Sequence, residues 1–350
     1  MTGAPFVTGR VSTPAGEVPR ASTALSWRDH WGTLFVRLAM GRMAYTVEPG
    51  LYAVGSPSPE SPVLVSANYK LSFDHLRSRL GGLDAWILVL DTKGINVWCA
   101  AGKGTFGTDE IVRRVAATRL AEVVTGRRLI LPQLGAPGVS AHEVTRQTRF
   151  GVVYGPVRAA DIPEFLRAGM KATPGMRRVR FGIRDRAVLI PVELVIGAKL
   201  IFGVASVMVL LGGLVRWGYS VDRAAASAPG VAALALAAFA FPVVLVPLLL
   251  PWLPGRAFAV KGAWVGAAMA LGLYLAAHAG VVNPGGRLEL WGWMAGWTAL
   301  ASYVAMNFTG ASTYTSLSGV YAEMKRAIPA QAVLAAAAAV LWISGRLAGS

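Results

Sequence analysis

Five long apolar runs fill the second half of this chain, near residues 195–215, 231–253, 263–282, 290–308 and 328–345. Each is close to the ~20 residues an α-helix needs to cross the hydrocarbon of a bilayer. Residues 191–350 are therefore expected to form an all-α transmembrane domain of five helices. The overall composition agrees, since 54% hydrophobic residues is high for a soluble enzyme. Charge is unevenly placed: residues 187–350 hold only 9 of the 34 Lys and Arg and 4 of the 18 Asp and Glu. Basic charge beside spans is a topology signal, and without interleaved aromatic and basic residues it predicts no nucleic-acid partner. The densest basic run (Lys171, Arg177, Arg178, Arg180, Arg184, Arg186) occupies a linker over 171–190. It places the preceding residues in the cytoplasm and the protein in the cytoplasmic (inner) membrane. Five spans would then leave the C-terminus external.

The first half reads differently. Residues 1–46 are expected to be a tail and a lead-in helix: 1–25 are rich in small residues and Pro, and are expected to be disordered without a signal peptide. Residues 26–46 have an amphipathic helical pattern, closed by a turn at Glu48-Pro49-Gly50. From 47 to 170, short apolar runs alternate with helical ones. Strands are expected at 62–67, 85–90, 128–131 and 151–154. Helices are expected at 72–80, from an N-cap at Thr108 to about Leu120, at 140–148 and at 159–168. Alternation of this kind predicts an α/β domain with a mostly parallel, Rossmann-like sheet. Ligands in such sheets bind beyond the carboxyl ends of the strands. Strand-end position alone makes Asn68, Tyr69, Tyr154, Gly155 and Pro156 candidate pocket residues.

The segment after the second of these strands carries the chemistry. It reads Asn96-Val97-Trp98-Cys99-Ala100-Ala101-Gly102-Lys103, then Gly104 and Thr105. Asn is a strong N-cap residue, so Asn96 predicts a short helix with Cys99 in its first turn. A helix N-terminus favours a thiolate, and Lys103, four residues on, shares the face of Cys99. Ala100, Ala101 and Gly102 would leave the helix surface flat enough for a planar macrocycle, with Trp98 as an apolar wall. Cys99 is the only cysteine, so the chain forms no intrachain disulfide and ligates no iron–sulfur cluster by itself. A lone cysteine is also commonly an inert small hydrophobe, and that reading stands beside the first. Gly102-Lys103-Gly104-Thr105 does not complete a phosphate loop, because Val97 stands where its first glycine belongs.

The run over 96–103 resembles the signature of the HgcA family, the corrinoid proteins of the mercury-methylation pair, which are related to the large-subunit corrinoid domain of the corrinoid iron–sulfur protein. The resemblance implies a corrinoid (cobalamin-type) cofactor, with residues 96–103 as a cap helix below the ring and Cys99 as the lower axial ligand to cobalt. Thr105, Asn68 and Gly155 are further candidates for contact with the corrinoid. The rival Asp-x-His-x-x-Gly loop is missing around His30, His75, His142 and His278; His75 and His142 are expected on helix surfaces. The implied activity is that of a corrinoid-dependent methyltransferase passing a methyl group from methyl-Co(III) to mercury(II), giving methylmercury. The implied partners are a ferredoxin-like iron–sulfur protein (HgcB-type) as electron donor and a methyl-folate-dependent methyltransferase. Two alternatives stay open. One is a membrane-tethered corrinoid methyl carrier in one-carbon metabolism. The other is a transporter or receptor with a structural Cys99.

Overall fold

The computed structural model describes residues 4–308 and 317–348. The chain divides into two compact units, Met1–Val179 and Arg180–Ser350.

The first unit is built on a seven-stranded sheet. Its strands are β1 (Val7–Thr13), β2 (Gly16–Ala21), β3 (Gly50–Val54), β4 (Val63–Ala67), β5 (Ala85–Leu90), β6 (Arg128–Leu131) and β7 (Gly151–Tyr154), in the order β1-β2-β3-β5-β4-β6-β7. β5, β4, β6 and β7 run parallel, while β3 is antiparallel to β5 and β1 to β2. Side chains along a strand alternate between faces, and both faces are covered. Trp86, Leu88 and Leu90 join one core with Val63, Val65 and Leu131, whereas Ile87 and Val89 join the other with Leu64, Phe73 and Phe165. Burial on both faces explains why these strands read as unbroken apolar runs.

The helices of this unit are α1 (Trp27–Arg37), α2 (Lys70–Arg77), α3 (Val97–Lys103), α4 (Thr108–Ala117), α5 (Leu120–Val123), α6 (Ala141–Thr148) and α7 (Ile162–Arg167), with 3-10 turns at Gln133–Gly138 and Ala159–Asp161. Three expectations need correction. Residues 7–21, expected to be disordered, form the β1–β2 hairpin, which extends the sheet beyond β3. The lead-in helix ends at Arg37 rather than near 46, where Ala39 and Gly41 take left-handed conformations. The N-cap of α4 is Gly107, and the hydroxyl of Thr108 instead accepts a hydrogen bond from the Ser140 N–H at 2.9 Å.

A buried charge network fastens α1 to α2. Lys70 pairs with Asp29 and Asp74, and Arg77, fully buried, pairs with the same two carboxylates at 2.9 and 2.8 Å. Arg77 also donates to the carbonyls of Ser22 and Ala24. Burial raises the Asp29 carboxyl, but hydrogen bonds from Lys70 and Ser26 outweigh it and hold the group well below the usual carboxylate range.

The second unit is helical: α8 (Ile183–Ala187), α9 (Ile190–Leu211), α10 (Val221–Leu249), α11 (Phe258–His278), α12 (Arg287–Asn307) and α13 (Leu317–Ala348), with a short hairpin of β8 (Leu214–Val215) and β9 (Gly218–Tyr219) after α9. Among the described residues, four stretches are long and apolar enough to cross a membrane: Ile183–Leu211, Val221–Leu249, Phe258–His278 and Gly319–Ala348. The expected fifth span corresponds to α12, which has the length but not the hydropathy. Its Glu289, Trp293, Trp297 and Ser302 are buried against neighbouring helices. Small residues let those neighbours approach: Gly262 and Gly266 of α11 lie against Ala301, Ser302 and Thr298 of α12.

Candidate functional site

Because β4, β5, β6 and β7 are parallel, their carboxyl ends share one edge of the sheet. The loop after β5 turns there through Lys93 and Gly94, both left-handed. A side chain on Gly94 would also run into the Met43 carbonyl, so only glycine suits the position. Asn68, just past the end of β4, holds this loop. Its Oδ1 accepts hydrogen bonds from the Thr92 N–H (3.1 Å), the Thr92 hydroxyl (2.9 Å) and the Gly94 N–H (3.0 Å). From the other side, buried Glu110 accepts from the Asp91 N–H at 2.7 Å. Asn68 is thus a positioning residue rather than a pocket wall, and it is buried.

The clamped loop delivers α3 as the sequence predicts. Asn96 is its N-cap, and its Oδ1 accepts from the Cys99 N–H at 3.0 Å. The same carboxamide donates through Nδ2 to the Cys99 Sγ at 3.5 Å. The thiol is exposed, and Trp98 beside it is 41% exposed. Gly102 and Lys103 are also exposed, and Gly104 closes the helix in the left-handed conformation.

Ala100 and Ala101 depart from the expected arrangement. Both are buried in the core beneath α3 instead of lying on its open face. Their size serves close packing: a side chain on Gly138, in the facing 3-10 turn, would collide with the Ala101 backbone. Thr105 also has a local role. Its N–H (3.0 Å) and hydroxyl (3.4 Å) both reach the Ala100 carbonyl at the helix end. The open surface of α3 is therefore made by Val97, Trp98, Cys99, Gly102 and Lys103.

A cavity of about 590 Å³ lies at the same sheet edge, walled by Asn96, Val97 and Trp98 of the α3 turn. Leu131 and Gly155, at the ends of β6 and β7, and Pro156 complete its strand-end side. Of the strand-end candidates, Gly155 and Pro156 line the cavity, while Asn68, Tyr69 and Tyr154 do not. His75, Arg79 and Arg158 line it as well; from the sequence, His75 has no expected place in a pocket and the two arginines are not singled out. His75 is exposed on the helix surface as expected, but that surface is the cavity wall. Protein around the ring strips it of water, and this, with the Arg37 guanidinium, pushes the imidazole below its ordinary value. Only the way α2 meets β4 reveals this, which a local sequence pattern does not carry.

Among the described residues, no three His, Cys, Asp or Glu side chains gather to hold a bare metal ion. Cys99 does not itself line the cavity, but its exposed thiol on the same turn as Asn96 and Trp98 fits a metal that arrives already held within a macrocycle. The fold and site thus define an α/β unit with a cavity and an exposed thiol-bearing turn at the carboxyl edge of its sheet.

The comparisons identify the class of that unit. Residues 39–166 match the family of the CO dehydrogenase/acetyl-CoA synthase delta subunit. Acetyl-CoA decarbonylase/synthase complex subunit gamma from Archaeoglobus fulgidus is 33% identical over 127 residues, covering 36% of this chain and 27% of the relative. The Methanopyrus kandleri subunit gamma is 33% identical over 122 residues, 34% and 26% of the two chains. The corrinoid/iron-sulfur protein large subunit of Moorella thermoacetica is 28% identical over 148 residues, 42% and 31% of the two chains. The α/β unit is therefore related to corrinoid proteins. The chain spans less than a third of the length of these relatives.

Proposed function

We propose that this protein is a membrane-anchored corrinoid protein, a corrinoid-dependent methyltransferase that keeps its methyl-carrying cofactor on the α/β unit with Cys99 as the lower ligand to cobalt. The observation that carries this reading is the placement of Cys99. It is exposed on an Asn96-capped turn that walls the sheet-edge cavity, inside the segment matched by corrinoid relatives. A bound corrinoid supplies a cobalt centre able to accept and release a methyl group.

The chain's own part is to hold and tune that centre. Asn96 fixes the backbone of Cys99 and donates to its sulfur. Axial-ligand identity is a general lever on metal reactivity, and an anionic sulfur donates more strongly than a neutral imidazole. Trp98 and Val97 offer apolar surface to the ring. The exposed Lys103 and the cavity-lining Arg79 and Arg158 offer donors to its polar edge.

The relatives favour methyl traffic of the acetyl-CoA decarbonylase/synthase type, hence a carrier in one-carbon metabolism. A second reading makes mercury(II) the methyl acceptor, and the contiguous run 96–103 with its exposed thiol favours it. In both readings a methyl-folate-dependent methyltransferase loads the cofactor and a ferredoxin-like iron–sulfur protein supplies electrons, which a chain with one cysteine does not provide. The basic linker supports a cytoplasmic α/β unit. The burial of Trp293, Trp297 and Ser302 against its neighbours supports α12 as a fifth span despite its lower hydropathy, an arrangement with the C-terminus external.

The test is reconstitution of the full-length chain with a corrinoid, followed by its absorption spectrum and single-turnover methyl transfer. Stoichiometric binding with a spectrum that changes in Cys99→Ala is expected. Transfer to thiol-bound mercury(II) selects the second reading, and transfer only to a one-carbon acceptor selects the first. A chain that retains no corrinoid overturns both.

A further inference from the structure

The helical unit contains a cavity of about 960 Å³ that plays no part in the reading above. Its polar lining includes Arg223, Ser227, Asn283 and Arg346. These stand where helices end: Arg223 in the first turn of α10, Asn283 just before α12, and Arg346 in the last turn of α13. The remaining wall is apolar and includes Leu234, Phe241 and Leu273. Ends of membrane-crossing helices lie at the depth of lipid headgroups.

The buried donors along this cavity outnumber their acceptors. Arg346 is 7% exposed; its Nη1 pairs with Glu289 at 3.2 Å, and its Nη2 bonds to the Gly212 carbonyl and to Ser227. Among the described residues its Nε has no hydrogen-bond partner, and neither does the indole N–H of Trp293 or that of Trp297, further along α12, all three being buried. Both tryptophans line the cavity. Buried donors are normally satisfied, so three together point to an acceptor that the protein itself does not provide. The charge agrees. Glu289 balances Arg346, and among the described residues Arg223 forms no ion pair, so the polar end carries a net positive charge.

We propose that this cavity binds an anion with acceptor oxygens, of the phosphate type, at its Arg223–Arg346 end. The apolar wall then takes the acyl body when the anion is a phospholipid headgroup; a free phosphate offers the same chemistry without that body. This inference is independent of the corrinoid reading, because every residue it uses lies in the helical unit.

The experiment uses the full-length chain purified in mild detergent. Retained lipid is counted by native mass spectrometry, and melting midpoints are recorded with added phosphatidylglycerol, phosphatidylcholine or inorganic phosphate. The variants are Arg223→Gln and the double substitution Trp293→Phe/Trp297→Phe, which remove donors and leave the Arg346–Glu289 pair in place. Expected is about one phosphatidylglycerol per chain with a raised midpoint, much weaker retention of phosphatidylcholine, and at least a fivefold loss of phosphatidylglycerol in either variant. A shift with inorganic phosphate equal to that with phosphatidylglycerol supports the anion site and assigns it to the free ion. Equal retention of the two lipids, or variants that retain phosphatidylglycerol like the wild type, overturns the proposal. So does the lack of any shift with either anion.

Discussion

Asn68 and Thr92 are joined twice: one carboxamide oxygen takes both the backbone N–H and the side-chain hydroxyl of Thr92, at 3.1 and 2.9 Å. Two strand ends, β4 and β5, are thereby locked together just before the chain turns into α3. The thiol of Cys99 rides on this lock, although Asn68 lies outside the cavity. Replacing Asn68 with Ala leaves the N–H groups of Thr92 and Gly94 without their acceptor in a buried setting, while the Thr92 hydroxyl keeps the Ile95 carbonyl at 2.7 Å, at a cost of about 2 kcal/mol. Thermal unfolding of the variant measures that cost. Corrinoid affinity, followed by equilibrium dialysis, is expected to fall about tenfold, and a variant that binds like the wild type would separate the lock from the site.

The contribution of Asn96 divides into two parts. Asn96→Asp keeps an oxygen to cap Cys99 and loses the N–H that reaches its sulfur. It should retain helix stability but alter the absorption of bound corrinoid. Asn96→Ala loses both parts and should cost about 1 kcal/mol as well. If the spectra of the two variants match the wild type, the carboxamide has no bearing on the sulfur.

The four parallel strands and the cap of α3 were legible in the sequence because each rests on a local signal. β4, β5 and β6 are apolar runs buried on both faces, and Asn96 caps three residues along its own chain. The β1–β2 hairpin was not legible, because β1 is largely exposed and reads as polar and small residues. β3 was masked by the turn signals Pro49 and Gly50 at its start. The inward turn of Ala100 and Ala101, and the cavity place of His75, depend on which element packs opposite, which periodicity within one segment does not encode. The hydropathy of α12 has the same origin, since its Trp293 and Trp297 face protein, although Trp291 is exposed.

The Asp29 network makes the first unit acid-sensitive in a predictable direction. The folded state holds the Asp29 carboxyl below its ordinary value of 3.8, so the unfolded chain takes up this proton first as pH falls. The stabilisation is present in full above about that value and is lost as pH drops through and below it. Urea midpoints at pH 7 and pH 3 should show the loss. Asp29→Asn should be destabilised by about 3 kcal/mol at pH 7, because Lys70 and Arg77 keep only Asp74 between them. It should also show a smaller drop on acidification. An identical drop in both proteins would place the acid sensitivity elsewhere.

The decisive substitution is at Cys99. The side chain is exposed, so its removal creates no buried cavity, and Cys99→Ala is expected to change stability by less than about 0.5 kcal/mol while leaving membrane insertion intact. Methyl transfer should be abolished, because no other thiol exists in the chain. Cys99→His separates ligation from donation. Imidazole ligates metals but is neutral, so if the longer side chain fits, the cobalt spectrum should return toward a ligated form with transfer still far below the wild-type rate. Rate and spectrum must be read together. A Cys99→Ala protein that transfers methyl groups at the wild-type rate, with an unchanged cobalt spectrum, would show the thiol to be structural. The capped turn beside the cavity would then serve the fold alone.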